Sequence, residues 1–215
     1  MSKTISKTQI DRLGERLKKG PTEESDLKLL EEYRKSFRDA YQSVIEQIQT
    51  IIYSIPFGKD YKIELAGRPE KSTISIIEKL NRESSIRLSQ LQDIAGCRLV
   101  VPDILEQDRI VSLLKKQFPN APVIDRRSQP SHGYRAIHIL VKHSEKLIEI
   151  QLRSQLQHEW AELSEKLADK VDHAIKYGYG HPKILSFLYN LSVKINTCEQ
   201  AELATLLETQ EKGSE

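Results

Sequence analysis

The sequence has little cysteine and no long apolar run. Its two cysteines, Cys97 and Cys198, are too few for a disulfide framework or for a zinc cluster built from cysteine. No stretch approaches the roughly 18 consecutive apolar residues of a membrane span. The first residues also lack the apolar core of a signal peptide. We therefore expect a protein of the reducing cytoplasm that has no membrane partner.

The sequence also lacks an excess of charge of one sign, and it is poor in aromatic residues. Its 33 Lys and Arg against 31 Asp and Glu leave a net charge of +2. This balance excludes a nucleic-acid binder that works by bulk charge, although a local basic patch stays open. Aromatic residues make up 6%, so any stacking role rests on a few tyrosines or on Trp160. The 215 residues, 38% hydrophobic, suffice for one ordinary domain or two very small ones.

The beginning of the chain has the apolar spacing of helices. Scattered apolar residues predict a first helix over 5–19. A stripe at three- and four-residue steps predicts one long amphipathic helix over about 24–54. We expect Thr22 or Ser25 to cap this second helix and the turn at 56–58 to end it.

The rest of the chain mixes short strands with helices. Strands are predicted at 61–65, 97–101, 122–124, 136–141 and 147–152. Helices are predicted at 72–82, 107–118, 154–170 and from a break at 178–182 to about 210. In the helix over 72–82 we expect Ile74, Ile77 and Leu80 to point inward. The fold class is therefore α+β, with a central mixed sheet of about five strands flanked by helices and with helical extensions at both ends.

Residues 67–75, here called the junction segment, carry cations and hydroxyls at a predicted strand-to-helix junction. Arg68 and Lys71 precede Ser72, Thr73 and Ser75 at the helix start. Free backbone N–H groups, the helix dipole and nearby cations favour phosphate at such a place. An ordinary capped helix with solvated charges is the alternative interpretation.

Two acidic residues on separate strands indicate a divalent cation. Asp93 precedes a strand that contains Arg98, and an internal pair between these two is the alternative interpretation. Strict alternation places Glu149, Gln151 and Arg153 on one face of a later strand, which is costly unless that face lines a cleft. Two carboxylates with cations nearby are what a site for Mg²⁺ and a polyphosphate requires.

The loop before the fourth predicted strand is polar and rich in cations. Tyr134 offers a ring that can stack on a base, or it is an ordinary half-buried strand residue. Arg135 offers phosphate contacts, and His138 faces either the cleft or the interior. In the helix predicted over 154–170, His158 shares a face with two glutamates, whereas Trp160 is expected in the core. The sequence has no Walker loop, Rossmann glycine fingerprint or serine elbow.

Taken in order, these motifs resemble the synthetase domain of the RelA/SpoT family, the alarmone synthetases. The matching motifs run from Gly67 to Tyr177 and include Asp93-Ile94-Ala95-Gly96-Cys97-Arg98, Gly133-Tyr134-Arg135-Ala136-Ile137-His138, Glu149-Ile150-Gln151-Leu152-Arg153 and His158-Glu159-Trp160-Ala161-Glu162. The length leaves no room for the hydrolase and regulatory regions of that family, so the chain resembles its small, single-domain synthetases. The expected organisation is an N-terminal helical region over 1–58, a synthetase core over 59–177 and a C-terminal helix over 178–215, integrated in one domain.

The resemblance implies a nucleotidyltransferase-like sheet and transfer of pyrophosphate from ATP to a ribose 3′-OH. It implies that Asp93 and Glu149 bind Mg²⁺ and that Glu149 also draws the proton from the attacking hydroxyl. The residues implied for ATP are Arg68, Lys71, Ser72, Ser75, Lys79 and Arg98. Those implied for the acceptor are Tyr134, Arg135, His138, Gln151, Arg153 and His158.

Two departures from the family pattern bear on these roles. The family usually has Arg-x-Lys, whereas Arg68-Pro69-Glu70-Lys71 has one extra residue. The serine usual between the tyrosine and the histidine of the acceptor loop is Ala136 here. The leading hypothesis is pyrophosphorylation of GDP or GTP to (p)ppGpp. The alternatives are a toxin that modifies the 3′ CCA end of tRNA, or makes adenosine analogues, and is checked by an antitoxin, and a nucleotide-binding module without turnover.

The last predicted helix leaves the assembly open. Its apolar residues suffice to pack within the chain or to pair between subunits as a homo-oligomer, and periodicity does not distinguish the two.

Overall fold

The structure, a computed structural model, describes residues 5–20, 22–55 and 63–212. The predicted turn at 56–58 and the first two residues of the predicted strand at 61–65 lie outside the described residues. The chain divides into two compact units. The first comprises Met1–Thr50, Gly67–Cys97 and Leu140–Glu149, and the second comprises Ile51–Ala66, Arg98–Ile139 and Ile150–Glu215. The expected division at residues 58 and 177 stays a prediction.

Five strands form one mixed sheet in the order β1-β2-β5-β4-β3, with helices on both sides. The strands are β1 (Glu64–Arg68), β2 (Ala95–Val101), β3 (Val123–Asp125), β4 (Ile137–His143) and β5 (Lys146–Ser154). Strands β3 and β4 are antiparallel, with Ile124 opposite His138. The predicted α+β class with a central five-stranded sheet is confirmed.

Seven α-helices are described: α1 (Lys7–Lys19), α2 (Glu24–Lys35), α3 (Arg38–Ser54), α4 (Thr73–Arg82), α5 (Ile104–Gln117), α6 (Gln155–Lys170) and α7 (Pro182–Lys212). Short 3₁₀ turns at Leu88–Gln90 and His173–Tyr177 were not predicted. No helix in the part of the chain that the structure describes is long and apolar enough to cross a membrane.

The single helix predicted over 24–54 is wrong, because α2 ends at Lys35 and α3 begins at Arg38. At the break the Ser36 hydroxyl donates a 2.5 Å hydrogen bond to the carbonyl of Tyr33, and it accepts one of 2.8 Å from Lys146. A serine that bonds back to a carbonyl of the preceding turn competes with the helical ladder. The apolar stripe continues through the break, which is why periodicity did not show it.

Three smaller expectations are also wrong. The N-cap of α2 is Glu23, without a side-chain cap, so neither Thr22 nor Ser25 caps it. Ile74 is 71% exposed, because it lies about 200° of helical rotation from the buried Ile76. The first strand extends through Arg68, three residues beyond its predicted end.

The core of the second unit lies between α6 and α7. Trp160 is buried, as expected, and its indole Nε1 donates a 2.8 Å hydrogen bond to the carbonyl of Leu188. Ala161, Ala168 and Ile175 complete this buried cluster. Buried indole N–H groups need such a partner, so the contact fixes α7 against α6.

Candidate functional site

The junction segment connects the end of β1 to the start of α4. Ser72 is the N-cap of α4, and its hydroxyl oxygen accepts a 3.2 Å hydrogen bond from the backbone N–H of Ser75. The same hydroxyl lies 2.9 Å from the Ser75 hydroxyl. The backbone N–H of Lys71 donates to the carbonyl of Ile94 at 2.7 Å, which ties the segment to the residue before β2. The predicted helix start is therefore present, with its cations just ahead of it.

Three cations of the first unit converge on Asp93. Its carboxylate accepts hydrogen bonds from Lys71 Nζ at 2.5 Å and from Lys79 Nζ at 3.0 Å, one on each oxygen. Arg68 Nη2 donates to the backbone carbonyl of the same residue at 2.9 Å. The partners of Asp93 are thus lysines from the junction segment and from α4. The alternative of an Asp93–Arg98 pair is wrong, because Arg98 contacts Glu162 instead.

The electrostatics of this cluster keep Asp93 ionised. Burial opposes its charge, but the charges and hydrogen bonds of Lys71 and Lys79 outweigh burial and lower the pKa of Asp93 to about 2. Burial also lowers the pKa of Lys71, against the attraction of Asp93. A buried lysine beside an ionised carboxylate is an arrangement that frequently marks functional sites.

Glu149 lies on β5 against the backbone of β2. A Cβ placed on Gly96 would come within 2.4 Å of the Glu149 carbonyl oxygen, so glycine permits this close approach of the two strands. Burial raises the pKa of the neighbouring Cys97 thiol to about 12, and the charge of Glu149 adds to the rise. The half-buried Glu149 side chain alternates with buried Ile148 and Ile150, as predicted.

The donor set of the first unit suits Mg²⁺. Asp93 and Glu149 offer hard carboxylate oxygens, and the low pKa of Asp93 means that no proton must leave before a cation binds. Each oxygen of Asp93 accepts one lysine and retains a further lone pair. Within the described residues no three His, Cys, Asp or Glu side chains form a group that could hold a metal ion.

The second unit gathers Tyr134, His138, Gln151 and Arg153. The Tyr134 hydroxyl shares a 3.0 Å hydrogen bond with His138 Nε2. Arg153 lies over the Tyr134 ring, 5.1 Å from its centroid, and its Nη2 donates to Gln151 Oε1 at 3.2 Å. These four predicted acceptor residues come together although they derive from different segments.

Arg153 is buried without a full set of acceptors. It is 5% exposed, and its Nε and Nη1 have no hydrogen-bond partner among the described residues. An arginine stays charged at every physiological pH, and leaving its buried donors unpaired is costly. The arrangement therefore fits a site that an external anion or carbonyl oxygen completes.

His158 and Arg98 interact electrostatically, and each also has a buried nitrogen without a hydrogen-bond partner among the described residues. Burial lowers the pKa of His158, and the charges of Arg98 and Arg153 lower it further. His158 Nδ1 and Arg98 Nε also have no partner within the described ranges. Arg98 Nη1 lies 3.5 Å from Glu162 Oε1, a partner on the face of α6 that also carries His158.

Arg135 differs from the other predicted acceptor residues in its contacts. Its Nε donates to the Ser192 hydroxyl at 3.1 Å, and its Nη1 donates to the carbonyl of Arg127. Ser192 in turn donates to the carbonyl of Gly133 at 2.6 Å. Arg135 thus ties the acceptor loop to α7.

Several polar residues of the structure were not singled out in the sequence. Arg34 and Arg38 bind Glu70 in the junction segment. In the second unit a buried network joins Gln107, Gln157 and Glu199. Each pair is at least 32 residues apart in the chain, so no local spacing indicated it.

The sequence matches a known protein family and several curated proteins. A profile of the family described as "Region found in RelA / SpoT proteins" matches residues 67–180. Uncharacterized proteins of Mycobacterium bovis and Mycobacterium tuberculosis are 37% identical over 110 residues, which cover 50% of this chain and 40% of each relative. The match thus spans less than half the length of these curated relatives.

Solved structures show the same fold. Small alarmone synthetase 1 from Bacillus subtilis, bound to its product pppGpp, superimposes with a TM-score of 0.63 at 20% identity, covering 85% of this chain and 99% of that one. Small alarmone synthetase 2 from the same organism gives a TM-score of 0.60 at 23% identity, with 85% and 99% coverage. Because the family profile covers more than half of the sequence, including the junction segment, Asp93, Glu149 and Tyr134, the chain belongs to the RelA/SpoT family.

Proposed function

We propose that the protein is an ATP-dependent pyrophosphokinase that transfers the β,γ-pyrophosphate of ATP to a ribose 3′-OH, with GDP or GTP as the acceptor. The observation that carries this proposal is the cluster of Arg68, Lys71 and Lys79 around the ionised Asp93. Membership of the RelA/SpoT family supports the reaction class.

On the donor side, the chain would neutralise and orient a triphosphate. Arg68, Lys71 and Lys79 supply cations, and the α4 N-terminus with Ser72 and Ser75 supplies dipole and hydroxyl groups. Arg98 would support the ATP site from β2. Phosphoryl-type transfer depends mainly on positioning and charge stabilisation, which these groups provide.

Asp93 and Glu149 would hold Mg²⁺, which when bound neutralises charge on the phosphates. Glu149 would accept the proton of the attacking 3′-hydroxyl. A bond forms between the 3′-oxygen and the β-phosphorus of ATP. The bond from that phosphorus to the oxygen bridging it to the α-phosphorus breaks, and AMP leaves with that oxygen.

On the acceptor side, Tyr134 would stack on the base, with His138 and Gln151 beside it. The unpaired Nε and Nη1 donors of Arg153 support an anionic or carbonyl-bearing acceptor such as a guanosine nucleotide, with the unpaired Nδ1 of His158 nearby in charge range of Arg153. Arg135 would act here by holding the loop to α7.

The direct test is a product assay with purified protein, ATP, Mg²⁺ and GDP. We expect AMP and a new, more highly phosphorylated guanosine species in equal amounts. AMP without any change in the guanine nucleotide would remove GDP as the acceptor.

Glu149→Gln tests the role of the proposed base. We expect turnover to fall by about a thousandfold, on the order of 4 kcal/mol in the barrier, with ATP affinity changed little. The matched control is Glu145→Gln, which removes the same charge from an exposed residue paired with Lys142 just before β5. Turnover within tenfold of wild type in Glu149→Gln, or an equal loss in the control, would contradict the assignment. A wild-type chain that binds ATP but forms no product from any acceptor, with an affinity for ATP that Glu149→Gln leaves unchanged, would indicate a binding module.

A further inference from the structure

The junction segment is contacted by two helices of the N-terminal region, α2 and α3. Both contribute arginines that bind Glu70, which lies with Pro69 between Arg68 and Lys71. Since Glu70 belongs to neither the cap of α4 nor β1, its contacts call for a separate explanation.

Glu70 is held by both of its carboxylate oxygens. Arg34 donates to Oε2 through Nη2 at 3.0 Å and through Nε at 3.3 Å, and Arg38 Nε donates to Oε1 at 2.6 Å. The Glu70 side chain is 13% exposed and that of Arg34 19%, so their charge-assisted contact is largely desolvated, whereas Arg38 is 59% exposed. Such contacts hold geometry better than exposed ion pairs, which are mobile and screened by salt.

Two further contacts flank this one along the segment. Arg34 Nη1 donates a 2.7 Å hydrogen bond to the hydroxyl of Thr73, the first residue of α4. At the other end, the Tyr41 hydroxyl lies against Gly67, where an added Cβ would be 1.8 Å from it. The segment is therefore fixed at Gly67, Glu70 and Thr73, on both sides of Arg68 and Lys71.

We infer that Glu70, held by Arg34 and Arg38, is a positioning residue that aligns Arg68 and Lys71 for the triphosphate of ATP. This inference rests on the proposed function of the donor site. An anionic Glu70 next to Lys71 would otherwise repel a polyphosphate and compete for the lysine. The two arginines neutralise it and leave Lys71 to Asp93.

The test compares Glu70→Gln with wild type and with Asp26→Asn as the matched control. The buried Asp26 forms an ion pair with the half-exposed Arg16 in the same unit, at 2.7 Å, and the hydrogen bonds described for its side chain go to Arg16 rather than to the junction segment. Two quantities are measured on the full chain: hydrogen exchange of the amides of residues 67–75 without nucleotide, and the dissociation constant for ATP with Mg²⁺.

In Glu70→Gln we expect faster exchange in residues 67–75 and an ATP dissociation constant raised by about tenfold, with the KM for the acceptor unchanged. Asp26→Asn should change neither quantity, even if its melting temperature falls by the same amount. Thr73→Val, which removes the hydroxyl that Arg34 contacts, should show the same effect as Glu70→Gln, only smaller.

The outcomes separate the two proposals. Unchanged exchange and unchanged ATP affinity in Glu70→Gln overturn the positioning role. Equal effects of Glu70→Gln and Asp26→Asn overturn it too, since the loss is then one of general stability. A wild-type chain that binds no ATP overturns the proposed function instead.

Discussion

At the scale of single residues, the proposed ATP site contains a buried ion pair. Lys71 and Asp93 are both largely buried, and burying an ion pair contributes little net stability because desolvation offsets the attraction. Retaining such a pair is easier to understand if its members act on a ligand. On the proposed function, Asp93 keeps Lys71 and Lys79 charged and in place until phosphate oxygens arrive.

The stability of the chain should depend on pH through Asp93. Its pKa is about 2 in the folded state, below the ordinary value of 3.8, so its stabilising contribution is complete above about pH 4. That contribution, about 2 kcal/mol, is lost as the pH falls through 2.

The measurement is urea denaturation of wild type and Asp93→Asn at several pH values. We expect the difference in unfolding free energy between them to shrink by about 2 kcal/mol between pH 5 and pH 2. The pKa values of Glu70 and Asp125 are also lowered, but both residues are present in wild type and in Asp93→Asn, so their contributions cancel in the difference. A difference that stays constant across this range would refute the ionised state of Asp93.

At the scale of elements, the sequence predicted most helices and strands because their periodicity is local. It missed the break between α2 and α3 because the apolar stripe continues through the break and because Lys146, which donates to the Ser36 hydroxyl there, is 110 residues away. Lys146 Nζ also lies 4.6 Å from the Phe37 ring centroid, a cation–π contact at the same place. Spacing within one segment carries no information on such partners.

The same reason limits what could be predicted of the site. Asp93 and the cations of the junction segment were recognisable as residue types at a strand-to-helix junction. The sequence did not show which cation pairs with Asp93, because the actual partner Lys71 is 22 residues away in the chain, whereas the alternative Arg98 is only five residues away. The contact of Glu70 with Arg34 likewise becomes visible only when α2 is placed beside the junction segment.

The pairing of β2 with β5 gives a prediction for an element. Gly96→Ala places a methyl group 2.4 Å from the carbonyl oxygen of Glu149, so the backbone must move to relieve the clash. We expect a loss of about 1–3 kcal/mol in unfolding free energy, as for other overpacked interiors. Since Glu149 is carried on the displaced strand, turnover should also fall while the protein is still folded.

Urea denaturation and the product assay test this together. A lower midpoint with an unchanged slope indicates a change in stability rather than in the unfolded state. An unfolding free energy within about 0.5 kcal/mol of wild type, the range of a neutral surface substitution, would contradict this prediction, because the two strands would then accommodate the methyl group without loss of stability.

At the scale of the whole molecule, charge bears on the choice of acceptor. The net charge is +2, and Arg127, one of two adjacent arginines at 126–127, is bound to Asp108 at 2.8 Å and to Asp125 at 2.7 Å. Ala136, which replaces the usual serine of the acceptor loop, is fully buried and offers nothing to a ligand. On the proposed function, the small net charge and the ion pairs of Arg127 favour a small nucleotide over a large polyanion such as tRNA.

When ATP labelled in its γ-phosphate is offered with GDP and tRNA together, we therefore expect the label on the guanine nucleotide. The rate at which the labelled guanine nucleotide forms should change little between 50 and 200 mM salt, because a small acceptor has few phosphates for the protein to contact. An enzyme that neutralises 6–10 RNA phosphates loses about a thousandfold or more in affinity over the same range. The control is tRNA without its CCA end, which a tRNA-modifying enzyme cannot label. Label that appears on intact tRNA, is absent from the truncated tRNA and declines steeply with salt would reverse this choice of acceptor. The proposed assignment of the donor side would remain, since both hypotheses give Arg68, Lys71, Lys79 and Asp93 the same role toward ATP.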